Sequence, residues 1–184
     1  MQIWIALLRG VNVGGVNKLP MKALVDELKS IGLMEVKTYI QSGNIVFYDP
    51  DIETVVLASQ IGMLIKSKFG FEPKVKIISY QDLLLAIQAN PFVELMNDTA
   101  GKNLHFFFLS NKPQDYCQNF LDQLCLQNEQ WYLQKDVFYL VTPKGFSNSK
   151  VPSRVEKILG VDATSRNWHT VEALVRLGAD LYLQ

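Results

Sequence analysis

The sequence has few of the residues that mark disulfide-bonded or metal-binding proteins. It has two cysteines, Cys117 and Cys125, and two histidines in 184 residues. The cysteines are eight positions apart within one predicted helix, about two turns, which is too far for a disulfide. Neither has a second Cys or His at metal-ligand spacing. We therefore expect free thiols, a reducing compartment and no metal site.

Long apolar runs and an excess of charge of one sign are also absent. No apolar stretch approaches the roughly 18 residues of a membrane span. The first ten residues have no cationic region before their apolar run, unlike a signal peptide. Lys plus Arg equals Asp plus Glu, 18 of each, whereas a nucleic-acid binder usually has a basic excess. These features predict a cytoplasmic protein without a membrane partner, and they make RNA a less favoured partner.

Hydrophobic residues, with aromatic residues and cysteine included, make up 48% of the chain. They follow strand and helix patterns in turn along the sequence. Strands are predicted at residues 3–8, 36–40, 45–48 and 75–79, with helices at 21–31, 52–69 and 81–89. This βαββαβ order is typical of a ferredoxin-like unit. The order then begins again, with strands at 104–109, 130–134 and 137–141 and helices at 113–126 and 151–159.

The second unit is less complete in its pattern. Its fourth strand has only residues 161–164 as a candidate, and a last helix is predicted at 168–177. We therefore predict an α+β protein of two ferredoxin-like subdomains, residues 1–96 and 102–184. The second subdomain is expected to be degenerate and to end in a C-terminal helix.

A glycine-rich loop, residues 9–18, follows the first strand. Gly10 and Gly15 have the spacing of a Walker A motif, but Val16 and Asn17 stand where Lys and Ser or Thr are required. The dinucleotide pattern G-x-G-x-x-G does not fit either. Two interpretations stay open. The glycines allow a sharp turn, or their backbone N–H groups bind an anion between two cationic flanks.

The ferredoxin-like strand order, 4-1-3-2, predicts that this loop meets a second polar segment. Strands 1 and 3 are antiparallel neighbours, so the loop and the turn at residues 41–44 emerge at one sheet edge. A cleft with several convergent polar groups is the usual form of a binding site. The predicted ligand-binding residues are Arg9, Asn12, Gly14, Gly15, Asn17, Lys18, Gln41, Ser42, Gly43 and Asn44. The alternative is structural: Ser-Gly-Asn is favourable turn chemistry, and Arg9 has Asp26 and Glu27 as candidate ion-pair partners.

The segments ALLRGVNVGGVNKLPM and TYIQSGNIVF resemble the bacterial family known as domain of unknown function 1697. A third segment, Thr164-Ser165-Arg166-Asn167-Trp168-His169-Thr170, is similar to that family's Thr-Arg-Asn-Trp-Asn-Thr pattern. It differs by an inserted Ser165 or a substituted Thr, and by His169 in place of Asn. The resemblance implies a pair of ferredoxin-like subdomains and brings no activity.

A second basic face is predicted in the C-terminal half. Lys150, Arg154 and Lys157 fall at helical spacing, and Arg166 with Asn167 follow. A solvated helix face is the alternative interpretation.

Asn167 is also the expected cap of the last helix. Trp168 is expected to pack beneath that helix, and His105 is expected to be structural.

Three functions remain in order of preference. The first is binding of a small anionic or nucleotide-like ligand at residues 9–18 and 41–44. The second is RNA binding by the sheet, with Trp4 at the place of an RRM aromatic, and by the basic face. The third is an enzyme that uses the same loop, although no nucleophile, general base or cofactor motif is recognisable. The oligomeric state is left open.

Overall fold

Two four-stranded antiparallel sheets form the framework of the protein. The computed structural model describes residues 2–49, 53–97 and 99–183. The strands are β1 (Ile3–Arg9), β2 (Met34–Tyr39), β3 (Asn44–Tyr48), β4 (Lys74–Ser79), β5 (Leu104–Leu109), β6 (Gln130–Gln134), β7 (Val137–Val141) and β8 (Ala163–Asn167). The helices are α1 (Met21–Ser30), α2 (Thr54–Phe69), α3 (Tyr80–Gln88), α4 (Gln118–Leu124), α5 (Val155–Leu159) and α6 (Trp168–Tyr182). Across the described ranges, no helix is both long and apolar enough to cross a membrane.

The strand orders are β2-β3-β1-β4 and β6-β7-β5-β8. Both are the 4-1-3-2 order of a ferredoxin-like unit seen from the other edge. The predicted α+β class with two ferredoxin-like subdomains and a C-terminal helix is therefore confirmed.

Each sheet packs one face against its own pair of helices. In β1, Ala6 and Leu8 point towards the helices because alternate residues of a strand share a face. The first helix-side core contains Ala6, Leu8, Leu24, Leu28, Ile45, Phe47, Ile61 and Ile65. The corresponding core of the second sheet contains Phe107, Leu109, Leu121, Phe138, Leu140, Val151, Val155 and Leu159. These residues occupy the positions that the strand and helix periodicities predict.

The sequence predicts a second ferredoxin-like subdomain that is degenerate in its fourth strand. The structure has that strand, and the helices of this subdomain are short instead. Helices α4 and α5 have seven and five residues, against ten and sixteen for α1 and α2. Cys117 and Cys125 therefore flank α4 and are not inside it, and both are free thiols. Strand β8 pairs with β5 over five residues, and only its first two residues lie within the expected 161–164 segment.

The chain divides into two compact units whose boundaries differ from residues 1–96 and 102–184. The first comprises the residues up to Leu85 together with those from Glu172 onward, and the second comprises Ala86–Val171. Within the first unit, the Tyr80 hydroxyl donates to the Val175 carbonyl at 3.1 Å. Within the second, the Tyr139 hydroxyl donates to the Ala86 carbonyl at 2.7 Å. Most of α6 therefore belongs to the first unit, and the end of α3 belongs to the second.

His105 is a buried structural side chain of β5, as the sequence predicts. It is 6% exposed, its Nε2 lies 3.1 Å from the Thr142 hydroxyl, and its ring lies 4.4 Å from that of Phe146 between centroids. Burial lowers the pKa of His105 from 6.5 to about 4, since a desolvated imidazolium is unfavourable.

This lowered pKa predicts a loss of stability in mild acid. Below about pH 6.5 the unfolded chain binds a proton at His105 that the folded chain does not bind until about pH 4. Stability is therefore fully present above pH 6.5 and is lost as the pH falls, by roughly 3 kcal/mol at the limit. Chemical denaturation at several pH values should show a steeper acid slope for the native chain than for His105→Gln. The exposed His169→Gln is the control, and an equal slope for all three proteins would contradict the burial argument.

Candidate functional site

Residues 12–17 of the glycine-rich loop form a small hairpin. The Val16 amide donates to the Val13 carbonyl at 3.0 Å, and the Asn12 amide donates to the Asn17 carbonyl at 3.1 Å. Gly14 and Gly15, at its tip, have φ of 58° and 78°, the pattern of a type I′ turn. A Cβ at either glycine would meet open space. The glycines are therefore required by backbone conformation and not by a close approach within the protein.

The tip of this hairpin is open to solvent. Residues 13–16 are all exposed, with Val13 and Val16 at 66% and 64%. The N–H groups of Gly14 and Gly15 make no hydrogen bond to any residue that the structure describes. The tip can therefore offer backbone donors to an external group.

Asn12 joins the loop to the turn before β3. Its Nδ2 donates to the Gln41 carbonyl at 2.7 Å and to the Leu19 carbonyl at 2.9 Å. Its Oδ1 accepts from the Leu19 amide at 2.8 Å. The predicted convergence of the two segments is thus present in the structure. The same bonds occupy the polar atoms of the Asn12 side chain, so we assign Asn12 to positioning of the loop.

The turn at residues 41–44 is packed directly against β1. The Gly43 carbonyl accepts from the Leu8 amide at 2.8 Å, and a Cβ on Gly43 would lie 2.6 Å from the Cβ of Leu8. Asn44 is fully buried, and its Nδ2 donates to the Ser42 hydroxyl at 2.8 Å and to the Tyr39 carbonyl at 3.2 Å. Gly43 and Asn44 hold the turn in place, while Gln41 is exposed and Ser42 is half-buried.

Cations surround the end of the sheet where these segments meet. Arg9, the last residue of β1, is directly opposite Lys74, the first residue of β4. Lys76 lies two residues further along β4 and therefore on the same face. Lys18 is exposed at the end of the loop. Sequence reasoning did not name Lys74 or Lys76, although the predicted order already placed β4 beside β1.

Arg9 is half-buried and takes part in interactions within the protein. Of its two expected carboxylate partners, Glu27 pairs with Lys68 at 3.0 Å, and Asp26 is an exposed residue of α1. The other predicted loop residue, Asn17, donates from Nδ2 to the Gly10 carbonyl at 2.8 Å. Like Asn12, it shapes the loop.

The two segments contain few side chains that can act as a nucleophile or a general base. Residues 9–18 and 41–44 contain no Asp, Glu, His or Cys, and their one hydroxyl belongs to Ser42. A general base must lie within hydrogen-bond reach of the proton that it removes. What these segments supply is positive charge, backbone donors and amide side chains.

The predicted second basic face is not formed as one helix face. Pro152 disfavours helical backbone at Val151, and α5 begins only at Val155, so Lys150 lies outside the helix. Arg166 is half-buried on β8, where burial lowers the pKa of its guanidinium to about 10. Arg154 and Lys157 do lie together, on the wall of one cavity.

Two other expectations concern aromatic residues and the last helix. Asn167 caps α6, since its Oδ1 accepts from the Thr170 amide at 3.0 Å, and Trp168 is buried with its ring 6.1 Å from that of Phe106 between centroids. Trp4 packs against the helix-side core of the first sheet. An RRM aromatic must lie on the sheet face opposite the helices, so the expected role of Trp4 in RNA binding is wrong.

Comparison with known proteins places this geometry in a family. A family model described as a protein of unknown function, DUF1697, matches residues 1–139. The chain belongs to this DUF1697 family. The match includes both loops of the candidate site, while the segment at residues 164–170 lies beyond it.

A solved structure shares the fold of this DUF1697 protein. The conserved bacterial protein SP0830 from Streptococcus pneumoniae aligns with a TM-score of 0.65 and 22% identity, over 96% of this chain and 98% of that chain. At this identity the likeness concerns the fold alone. No curated protein matches the sequence.

The role assigned to Asn12 predicts a large difference between two asparagines. Asn12 and Asn17 both have positive φ, 53° and 51°, so glycine fits either position without backbone strain. Asn12→Gly should cost about 2–4 kcal/mol because it leaves three backbone groups without a partner. Asn17→Gly removes one exposed bond and should cost about 1 kcal/mol or less. Urea denaturation of both variants tests this, and equal losses would mean that Asn12 does not hold the loop.

The close packing of Gly43 predicts a second matched comparison. Gly43 and Gly15 have similar φ, 72° and 78°, but only Gly43 lacks space for a Cβ. Gly15→Ala should cost about 1–2 kcal/mol from backbone strain alone. Gly43→Ala should cost clearly more, because Leu8 and Val11 must move. A thermal or urea midpoint that falls equally in both variants would contradict the tight contact.

Proposed function

We propose that this protein binds a small anionic, nucleotide-like ligand at the loop edge of its first sheet. The loop edge comprises residues 9–18, residues 41–44 and Lys74. The ligand's anionic group would lie near Arg9 and Lys74, and its remaining polar groups near the hairpin tip.

The register of β1 and β4 is the observation that carries this proposal. Arg9 and Lys74 are direct partners across the antiparallel pair, where side chains come within about 5 Å of each other at Cβ. A single bound phosphate or carboxylate can accept hydrogen bonds from both cations.

The rigidity of the loops supports the same function. Asn12 ties the hairpin to the Gln41 carbonyl, and Leu8 ties β1 to the Gly43 carbonyl. A loop that already has its bound shape loses less conformational entropy when the ligand arrives. The exposed N–H groups of Gly14 and Gly15, the exposed amide of Gln41 and the ammonium of Lys18 then complete a polar rim.

The test compares a charged ligand with its neutral counterpart. ATP and inorganic pyrophosphate should raise the unfolding temperature of the intact protein, while adenosine should not. Stabilisation by a ligand at 100 times its Kd is about 2.7 kcal/mol. Lys74→Ala and Lys18→Ala should each weaken ATP binding about tenfold, roughly 1.4 kcal/mol, as measured by calorimetric titration.

The control is Lys112→Ala, which removes an exposed lysine of the second unit and should leave binding unchanged. Two results would refute the proposal. One is stabilisation by none of the anions. The other is a marked destabilisation of unliganded Lys74→Ala with unaltered ATP affinity, which would assign Lys74 to the scaffold.

A further inference from the structure

A cavity of about 530 Å³ lies in the second unit and has no part in the proposed function above. Its lining comes from two short helices and the residues before them. Cys117 and Arg154 are the residues that precede α4 and α5, Phe120 belongs to α4, and Lys157 and Ile158 belong to α5. The volume is within the usual range for small-molecule sites, about 300–1,000 Å³.

The cavity wall carries two positive charges without local compensation. Arg154 and Lys157 are both exposed. Over the described residues, neither makes an ion pair or a side-chain hydrogen bond, and the lining contains no carboxylate. The carboxylate between them in sequence, Glu156, is directed elsewhere: its Oε1 accepts from the Ala163 amide at 2.8 Å. The guanidinium and the ammonium can therefore both turn towards one anionic group.

The remaining wall is apolar. Phe120 is 41% exposed although it is a large aromatic residue, and Ile158 is half-buried beside Lys157. Such a wall adds nothing to the binding of a bare phosphate or sulfate. It favours a ligand with a flat apolar body, which stacks on the phenyl ring while its charge meets the planar guanidinium fork.

We propose that the cavity between α4 and α5 is a binding site for a small aromatic carboxylate. Its carboxylate is held by Arg154 and Lys157, and its ring lies against Phe120 and Ile158. Cys117, on the same wall, is within reach of the bound molecule and reports on its presence.

The two cysteines make the test selective. Cys117 is exposed. Cys125 is half-buried, and burial, together with the charges of Glu129 and Asp122, raises the pKa of its thiol to about 11. At about pH 8, thiol reagents should therefore react with Cys117 first, and mass spectrometry of peptides verifies the labelled position.

The first measurement compares two disulfide reagents on the intact protein. Dithiobis(nitrobenzoate) is an aromatic carboxylate, and dithiodipyridine is a neutral aromatic molecule. With either, the Cys117 thiolate attacks one sulfur, a mixed disulfide forms and the aryl thiolate leaves. For each reagent, the rate with Cys117 is divided by the rate with free cysteine. At low ionic strength this ratio, called the reagent preference, should be about tenfold higher for the anionic reagent than for the neutral one. Arg154→Gln and Lys157→Gln should each reduce this preference, and Lys112→Gln should not.

The second measurement separates a site from simple electrostatic attraction. Benzoate should slow the reaction of Cys117 with neutral dithiodipyridine, while benzamide, of the same shape and no charge, should not. Acetate, of the same charge and no ring, should not protect either, and Phe120→Ala should abolish protection by benzoate. Equal protection by acetate and benzoate, or no protection by benzoate at all, would overturn the proposal. So would a reagent preference that survives in Arg154→Gln and Lys157→Gln.

Discussion

The antiparallel pairing of β1 with both β3 and β4 is the interaction on which the first unit and its candidate site depend. It places the end of β1, the start of β3 and the start of β4 at one sheet edge. Asn12 and Gln41, which are far apart in sequence, therefore meet, and Lys74 lies at the same end of the sheet, opposite Arg9. Apolar residues make this pairing stable, because Ala6 and Leu8 face the helix-side core while Ile5 and Leu7 are buried on the opposite face.

Within that framework, the loop's shape is determined by hydrogen bonds from asparagine side chains and by positive φ at glycines. Asn12 and Asn17 adopt left-handed backbone that asparagine tolerates better than most residues, and each bonds a carbonyl several residues away. These side chains are engaged in hydrogen bonds within the protein. Under the proposed function, recognition at this edge therefore comes from other groups, chiefly the exposed glycine N–H groups and the nearby cations. A polar residue in a glycine-rich loop is thus weak evidence for ligand contact until its own bonds are known.

Much of this arrangement is predictable from the sequence, and the exceptions have physical causes. Strands β5, β6 and β7 match their expected limits, because each is a short apolar or alternating run. The order βαββαβ then implies the sheet topology and the meeting of the two loops. Strand β8 is different: Ala163–Asn167 is mostly polar and owes its strand conformation to pairing with β5, which local periodicity does not reveal. Pro152 disfavours helical backbone at Val151 and so keeps Lys150 outside α5. The assignment of most of α6 to the first unit follows from tertiary contacts such as Tyr80 with Val175.

The formal net charge of zero conceals an uneven distribution of cations, and this bears on how the protein can select a ligand. Arg9, Lys74 and Lys76 share one sheet face, while Arg154 and Lys157 share one cavity. A neutral protein has little long-range attraction for anions, and exposed charges are screened beyond about 8–10 Å in physiological salt. Under the proposed function, ligand selection then occurs at contact distance, through the shape of a rim or cavity and through charge-assisted hydrogen bonds. Such an arrangement favours small anions over long polyanions, because RNA binding depends on many phosphate contacts across a broad basic surface. The geometry of the cations, rather than their number, is thus the stronger argument for a small ligand.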